Sequence, residues 1–229
     1  MRKLVAIVTS LGALAVPSAA GATVQELGAT APFPAPSCPT NCTALGRVTG
    51  YQVQQGAVKN PFKGRRRGKI VAFTLTLGQP SEDEIRFFRR TFGGSARARI
   101  SILAPVRRKR GEPKGTRRRH RLTGQSENFE LEPYLGSSPT FALSRPLTLK
   151  KDYVVALTVP TWAPVFAVDL GNTEAWRSSR DPANCDDLQQ LAAQQRRGSL
   201  RTYGCFYRTA RLTYTATFIP DPKPTTKAE

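Results

Sequence analysis

Four cysteines, Cys38, Cys42, Cys185 and Cys205, carry the most definite chemistry in this chain. An even count in an oxidising compartment predicts two disulfides; three connectivities are possible, and sequence proximity favours Cys38–Cys42 and Cys185–Cys205. Zinc is the rival use of the same residues. No C-x-x-C pair occurs, and the single histidine, His120, sits in a basic run that repels a cation, so no metal is expected. Outside the capping box at Ser81-Glu82-Asp83-Glu84, the acidic concentration that could serve chemistry is Asp169, Glu174, Asp181, Asp186 and Asp187. A glycan-cleaving hydrolase needs two such groups facing one bond, and this 169–187 loop is where an enzyme reading would place them. H-E-x-x-H, G-x-S-x-G and glycine-rich phosphate loops are all missing from the sequence. The expectation is therefore a non-catalytic binding protein without a cofactor, with the hydrolase as the alternative.

Charge is the second signal. Lys and Arg number 35 against 16 Asp and Glu, a net charge of +19. The positives cluster. Lys63, Arg65, Arg66, Arg67 and Lys69 form one run. Arg107, Arg108, Lys109, Arg110, Lys114, Arg117, Arg118, Arg119 and Arg121 form a longer one with Glu112 as the single acid inside it. Glycines and a proline beside both runs mark them as loops between strands. Arginine forks grip phosphate or sulfate by two-point contacts, so the 107–121 loop is a candidate polyanion site. Its partner would be an anionic polymer of the cell exterior, a lipid surface or nucleic acid bound without sequence preference. A solvated hairpin loop that serves solubility is the plainer reading. No aromatic residue interleaves with these basics, which argues against stacking on single-stranded bases.

A third candidate is aromatic. Trp176 stands in the stretch Asn172-Thr173-Glu174-Ala175-Trp176-Arg177, within a long connection from Gly171 to Leu200. A rigid indole face beside Asp169, Asn172 and Glu174 could stack on a sugar ring. Core packing is the competing use of both Trp176 and Trp162.

The elements that must hold these groups are mostly strands. With 229 residues, 18 Gly and 18 Pro, the chain suits one turn-rich domain and excludes a coiled coil or a multispan membrane protein. Arg2-Lys3, an apolar run from Leu4 to Val16 and the small residues of Ala20-Gly21-Ala22 have the grammar of a secretory signal peptide. The expected organisation is a signal peptide over 1–22 cut after Ala22, a Pro-rich arm over 23–45, one domain over 46–219 and a frayed Pro-rich tail over 220–229. Period-two alternation predicts strands near 47–54, 69–77, 97–103, 141–149 and 153–159, and a short apolar run marks 165–170. The same pattern makes 206–218 one long strand with Phe206, Ala210, Leu212, Tyr214, Ala216 and Phe218 inward. Ser81-Glu82-Asp83-Glu84 is a capping box opening a helix that Gly93-Gly94 ends. Asp187 to Arg197, with Leu188, Leu191 and Ala192 on one face, predicts a second helix. The fold class expected is all-β: an antiparallel β-sandwich of jelly-roll type with two short helical connections.

Three stretches carry a resemblance: Phe141 to Pro164, Tyr203 to Arg211, and the arm Pro36 to Cys42. There the chain resembles a group of secreted bacterial proteins without an assigned activity. The resemblance spans most of the chain after Ala22 and implies export and a shared β fold. It implies no catalytic or binding residue.

Overall fold

The structure, a computed structural model, describes residues 23–106, 110–112 and 118–222. The expected signal peptide and its cleavage point, the tail beyond residue 222, and Arg107, Arg108, Lys109 and Arg117 lie outside the described residues. Among the described residues no helix is long and apolar enough to cross a membrane.

The chain is built from antiparallel strands: β1 (Gln25–Leu27), β2 (Leu45–Gln55), β3 (Val58–Lys59), β4 (Gly68–Leu75), β5 (Arg97–Pro105), β6 (Arg119–Gln125), β7 (Phe129–Glu130), β8 (Thr140–Leu149), β9 (Val154–Ala163), β10 (Phe166–Ala167), β11 (Ala175–Ser178), β12 (Leu200–Thr202), β13 (Cys205–Arg208), β14 (Arg211–Leu212) and β15 (Tyr214–Pro220). A four-stranded sheet has the order β1-β15-β4-β8. The larger sheet runs β12-β6-β5-β9-β2-β11-β13, with β3 added to β2 and β7 to β5, and it curls as a half-barrel. β10 and β14 form a short separate ladder.

The two main sheets share one core. On β15, Tyr214, Ala216 and Phe218 are buried while Thr215 and Thr217 between them are less so, the alternation a pleated strand requires. The Tyr214 ring stacks on Phe62, centroids 4.0 Å apart, and its hydroxyl donates to the Val155 carbonyl on β9 in the other sheet. One α-helix, α1 (Glu82–Phe92), follows β4. Its capping box is complete: Glu84 N–H donates to Ser81 Oγ, and Ser81 N–H donates to Glu84 Oε2. Phe88 and Phe92 are buried, with Phe88 against Trp162, and Gly93 at φ 84° ends the helix where a side chain would be strained.

Three expectations need correction. The long strand over 206–218 is three strands, β13, β14 and β15, in three different sheets, and Phe206 points outward, 40% exposed. The break falls at Thr209, whose φ of 58° is incompatible with a continuous strand. The helix over 187–197 does not form, so only one of the two expected helical connections is an α-helix; short 3-10 turns at Glu132–Tyr134 and Pro182–Asn184 are the remaining helical elements described. Instead, the chain from 179 to 199 lies across the outer face of the larger sheet. Ala192 N–H donates to Arg47 O and Gln194 N–H to Thr49 Oγ1, while Leu188 and Leu191, the expected core face, stand 54% and 74% exposed. Long-range partners here outweigh a modest helical propensity. As a result the polar face of the sheet is roofed: Thr49, Thr158 and Ser101 join hydroxyl to hydroxyl across β2, β9 and β5, and all three are buried. Arg99, expected outside, is covered as well and donates to Gln195 Oε1.

Candidate functional site

Both disulfides, Cys38–Cys42 and Cys185–Cys205, are formed. The first closes a turn in the arm beside Ser37, whose N–H donates to Phe166 O. The second ties the roofing segment to β13.

The aromatic candidate is dismantled by burial. Trp176 is in strand β11 rather than a loop and is 3% exposed, packed between Tyr207 and Phe166. No indole face is open to a sugar ring. Glu174 is committed to the fold: Oε1 accepts from Gly56 N–H, Oε2 from Gln52 Nε2, and Arg211 Nε lies 4.0 Å away. Asp169, at φ 57°, and Asn172 are exposed on the approach to β11, and Asn172 O accepts from Arg208. The other acids have separate duties. Asp181 accepts from Gln190 Nε2 and Asp187 from Gln189 N–H. Among the described residues no three His, Cys, Asp or Glu side chains gather as a metal site. His120 is no surface base. It is buried between the rings of Tyr51 and Tyr203, and burial lowers its pKa, with Arg177 adding to the effect.

The basic candidate divides. Arg110 and Arg118 are exposed in the β5–β6 connection, whose base is closed by Val106 N–H donating to Arg119 O. Arg119 and Arg121 belong to strand β6, paired with Thr202 and Leu200. Arg121 donates to Gly198 O at 2.7 Å.

The site that sequence reasoning missed lies beside that contact. A cleft of about 700 Å³ is lined by Arg67, Arg145, Lys150 and Arg197, with Thr123, Gln125, Thr148 and Tyr153 between them, and no acid lines it among the described residues. Its four cations come from three segments far apart in the chain, around residues 67, 145–150 and 197, and each is placed for a local reason. Arg67 precedes β4. β8 is the edge of its sheet and bulges: Ile70 pairs with Leu147 and Ala72 with Ala142, so one residue of β4 faces four of β8. Pro146, which has no N–H to give a ladder, sits in that bulge and Arg145 is thrown outward. Lys150 opens the β8–β9 turn, its ammonium 5.9 Å from the centroid of the Tyr153 ring. Arg197 occupies a turn held on β6 by Gly198 N–H donating to Leu122 O, with Gly198 at φ 84°. Arg67 has an ion pair with Asp221 at 3.2 Å. No described carboxylate pairs with Arg145, Lys150 or Arg197. Like charges gathered this way cost electrostatic energy that an anion would relieve.

Arg67 was visible as part of a charge run. Arg145 and Arg197 were not, since nothing in their neighbourhood in the sequence indicates that a bulge and a glycine turn aim them at one cleft. Comparison of the chain with protein-family models, curated proteins and solved structures gives no match.

Proposed function

We propose that this is a secreted, non-catalytic protein that binds an anionic glycan at the cell exterior. The observation that carries the reading is the cleft in which Arg67, Arg145, Lys150 and Arg197 meet without a lining acid. Guanidinium forks suit sulfate, carboxylate or phosphate substituents, and Thr123, Thr148 and Gln125 supply hydrogen-bonding groups suited to sugar hydroxyls. Tyr153, the aromatic residue of the cleft, is half-buried beneath Lys150, which favours a glycan over stacked bases. Two disulfides and the lack of a membrane-spanning helix among the described residues are compatible with export.

The scaffold reading goes with it. Taking β1, β2, β4, β5, β6, β8, β9 and β15 as strands one to eight in chain order, the sheets run 1-8-3-6 and 2-7-4-5, with β11 and β13 appended to the second at one edge and β12 at the other. That order supports the jelly-roll form of a β-sandwich, in which loops and sheet edges are free to carry a binding site.

Heparin titration over a range of salt tests the function. Binding is expected to weaken as salt rises, and the double variant Arg145→Ser/Arg197→Ser is expected to lower affinity and reduce the salt slope by about 1–2, one per lost contact. A double variant with unchanged affinity and slope overturns this site. A single-stranded oligonucleotide bound more tightly than heparin of equal charge overturns the glycan in favour of nucleic acid.

A further inference from the structure

A second basic cleft, of about 340 Å³, is lined by Lys59, Lys63, Arg65, Lys151 and Asp152. It is the direct neighbour of the first. Lys150 lines one cleft and Lys151 the other, and consecutive Cα atoms are only about 3.8 Å apart. On the facing segment Arg65 and Arg67, two positions apart, likewise line one cleft each. The two segments are locked together: Gly64 N–H donates to Tyr153 O and Asp152 N–H to Gly64 O, both at 2.8 Å, and Lys63 pairs with Asp152 at 2.7 Å. The approach is so close that a Cβ on Gly64 would stand 2.4 Å from the Lys150 carbonyl oxygen. The clefts therefore lie on either side of one stiff ridge and hold a fixed spacing. Eight cations face outward along them, with Asp152 the single described acid, itself engaged by Lys63.

We propose that the two clefts form one track over the 150–153 ridge, and that the ligand is a linear glycan with repeated anionic groups, long enough to occupy both clefts at once. This rests on the glycan reading of the first cleft and adds to it a length requirement and a second contact set. A single sulfate or a short oligosaccharide fills one cleft. A longer chain gains the second as an intramolecular event, so its affinity rises far more than the added charge alone would give.

Calorimetry with heparin tetrasaccharide and dodecasaccharide tests the track, using the intact chain and two variants, Arg145→Ser/Arg197→Ser and Lys59→Ser/Lys151→Ser. These four side chains are exposed and outside the core, so the variants should fold, and a thermal melt of each checks it. The dodecasaccharide is expected to bind one per chain, and to lose about tenfold or more in affinity in either variant. Tetrasaccharide is expected to bind weakly at two per chain in the parent and at one per chain in each variant. If Lys59→Ser/Lys151→Ser leaves the dodecasaccharide unchanged while Arg145→Ser/Arg197→Ser weakens it, the track is wrong and the single-cleft function stands. Two dodecasaccharides per chain also overturn the track. If neither oligosaccharide binds the parent, the glycan function falls and the track with it.

Discussion

Trp176 lies flat against Tyr207, ring centroids 4.4 Å apart and planes 19° from parallel, and this stack closes the outer end of the larger sheet. The hydroxyl of Tyr207 donates to the carbonyl of Cys185 at 2.6 Å, so the aromatic pair, the disulfide and the roofing segment form one unit. Gly50 on β2 makes room for it, since a Cβ there would meet the indole at 2.9 Å. The indole thus works as packing rather than as a platform.

Replacing Trp176 should therefore damage the fold and leave ligand binding alone. Trp176→Ala is expected to cost about 3–5 kcal/mol in urea unfolding. Trp176→Phe should cost much less than Trp176→Ala, because a phenyl ring keeps much of the packing on Tyr207 and Phe166, and because the indole N–H that is lost is buried without a partner among the described residues. Heparin affinity of folded Trp176→Phe should equal that of the parent. A loss of affinity with stability retained would restore the platform reading.

The acid once suited to catalysis makes a similar test. Arg211 is almost fully buried and donates to Gly28 O and Thr30 Oγ1, with Glu174 as its nearby counter-charge. Glu174→Gln keeps an acceptor for Gly56 N–H but leaves the guanidinium without an anion. Stability should fall by about 1–3 kcal/mol. Adding Arg211→Met should recover part of that loss, a positive coupling that a double-mutant cycle measures. Additive losses would mean that the two side chains do not interact.

Local signals in the sequence were accurate where local physics decides. The Ser81 capping box and Gly93 bound α1, and the alternation of Tyr214, Ala216 and Phe218 describes β15. They failed where a distant partner decides. The 187–197 segment has a helical pattern, yet its N–H groups serve β2, and Ala192 and Gln194 turn inward while the leucines stay out. β6 was hidden in the basic run, although buried His120 and Leu122 alternate with Arg119 and Arg121 there. The cleft was least legible of all. Arg67, Arg145, Lys150 and Arg197 are spread over 131 positions, and only a bulged edge strand and a glycine turn bring them together.

His120 offers the last test, and the chain's single histidine makes it a clean one. Its ring is 5% exposed, set between Tyr51 and Tyr203, with Arg118 and Arg177 the cations nearby. Burial lowers the imidazole pKa from 6.5, an effect to which Arg177 contributes and which the Arg118 carbonyl opposes by accepting from Nδ1. The same burial pushes the Tyr51 phenol up to about 12, so Tyr51 is neutral and offers the imidazolium no counter-charge. The sign follows from linkage. The folded pKa is depressed, so unfolded chains take up a proton before folded ones do as pH falls. The stability associated with neutral His120 is complete above 6.5 and is lost as pH falls towards and through the folded pKa. The loss can reach at most about 1.4 kcal/mol by about pH 5.5, where most carboxylates are still ionised. Urea midpoints measured at about pH 7.5 and about pH 5.5 should therefore drop for the parent and stay level for His120→Gln, which keeps a polar side chain but cannot titrate. An equal drop in both proteins would place the acid-sensitive group elsewhere and leave the buried imidazole without a role in it.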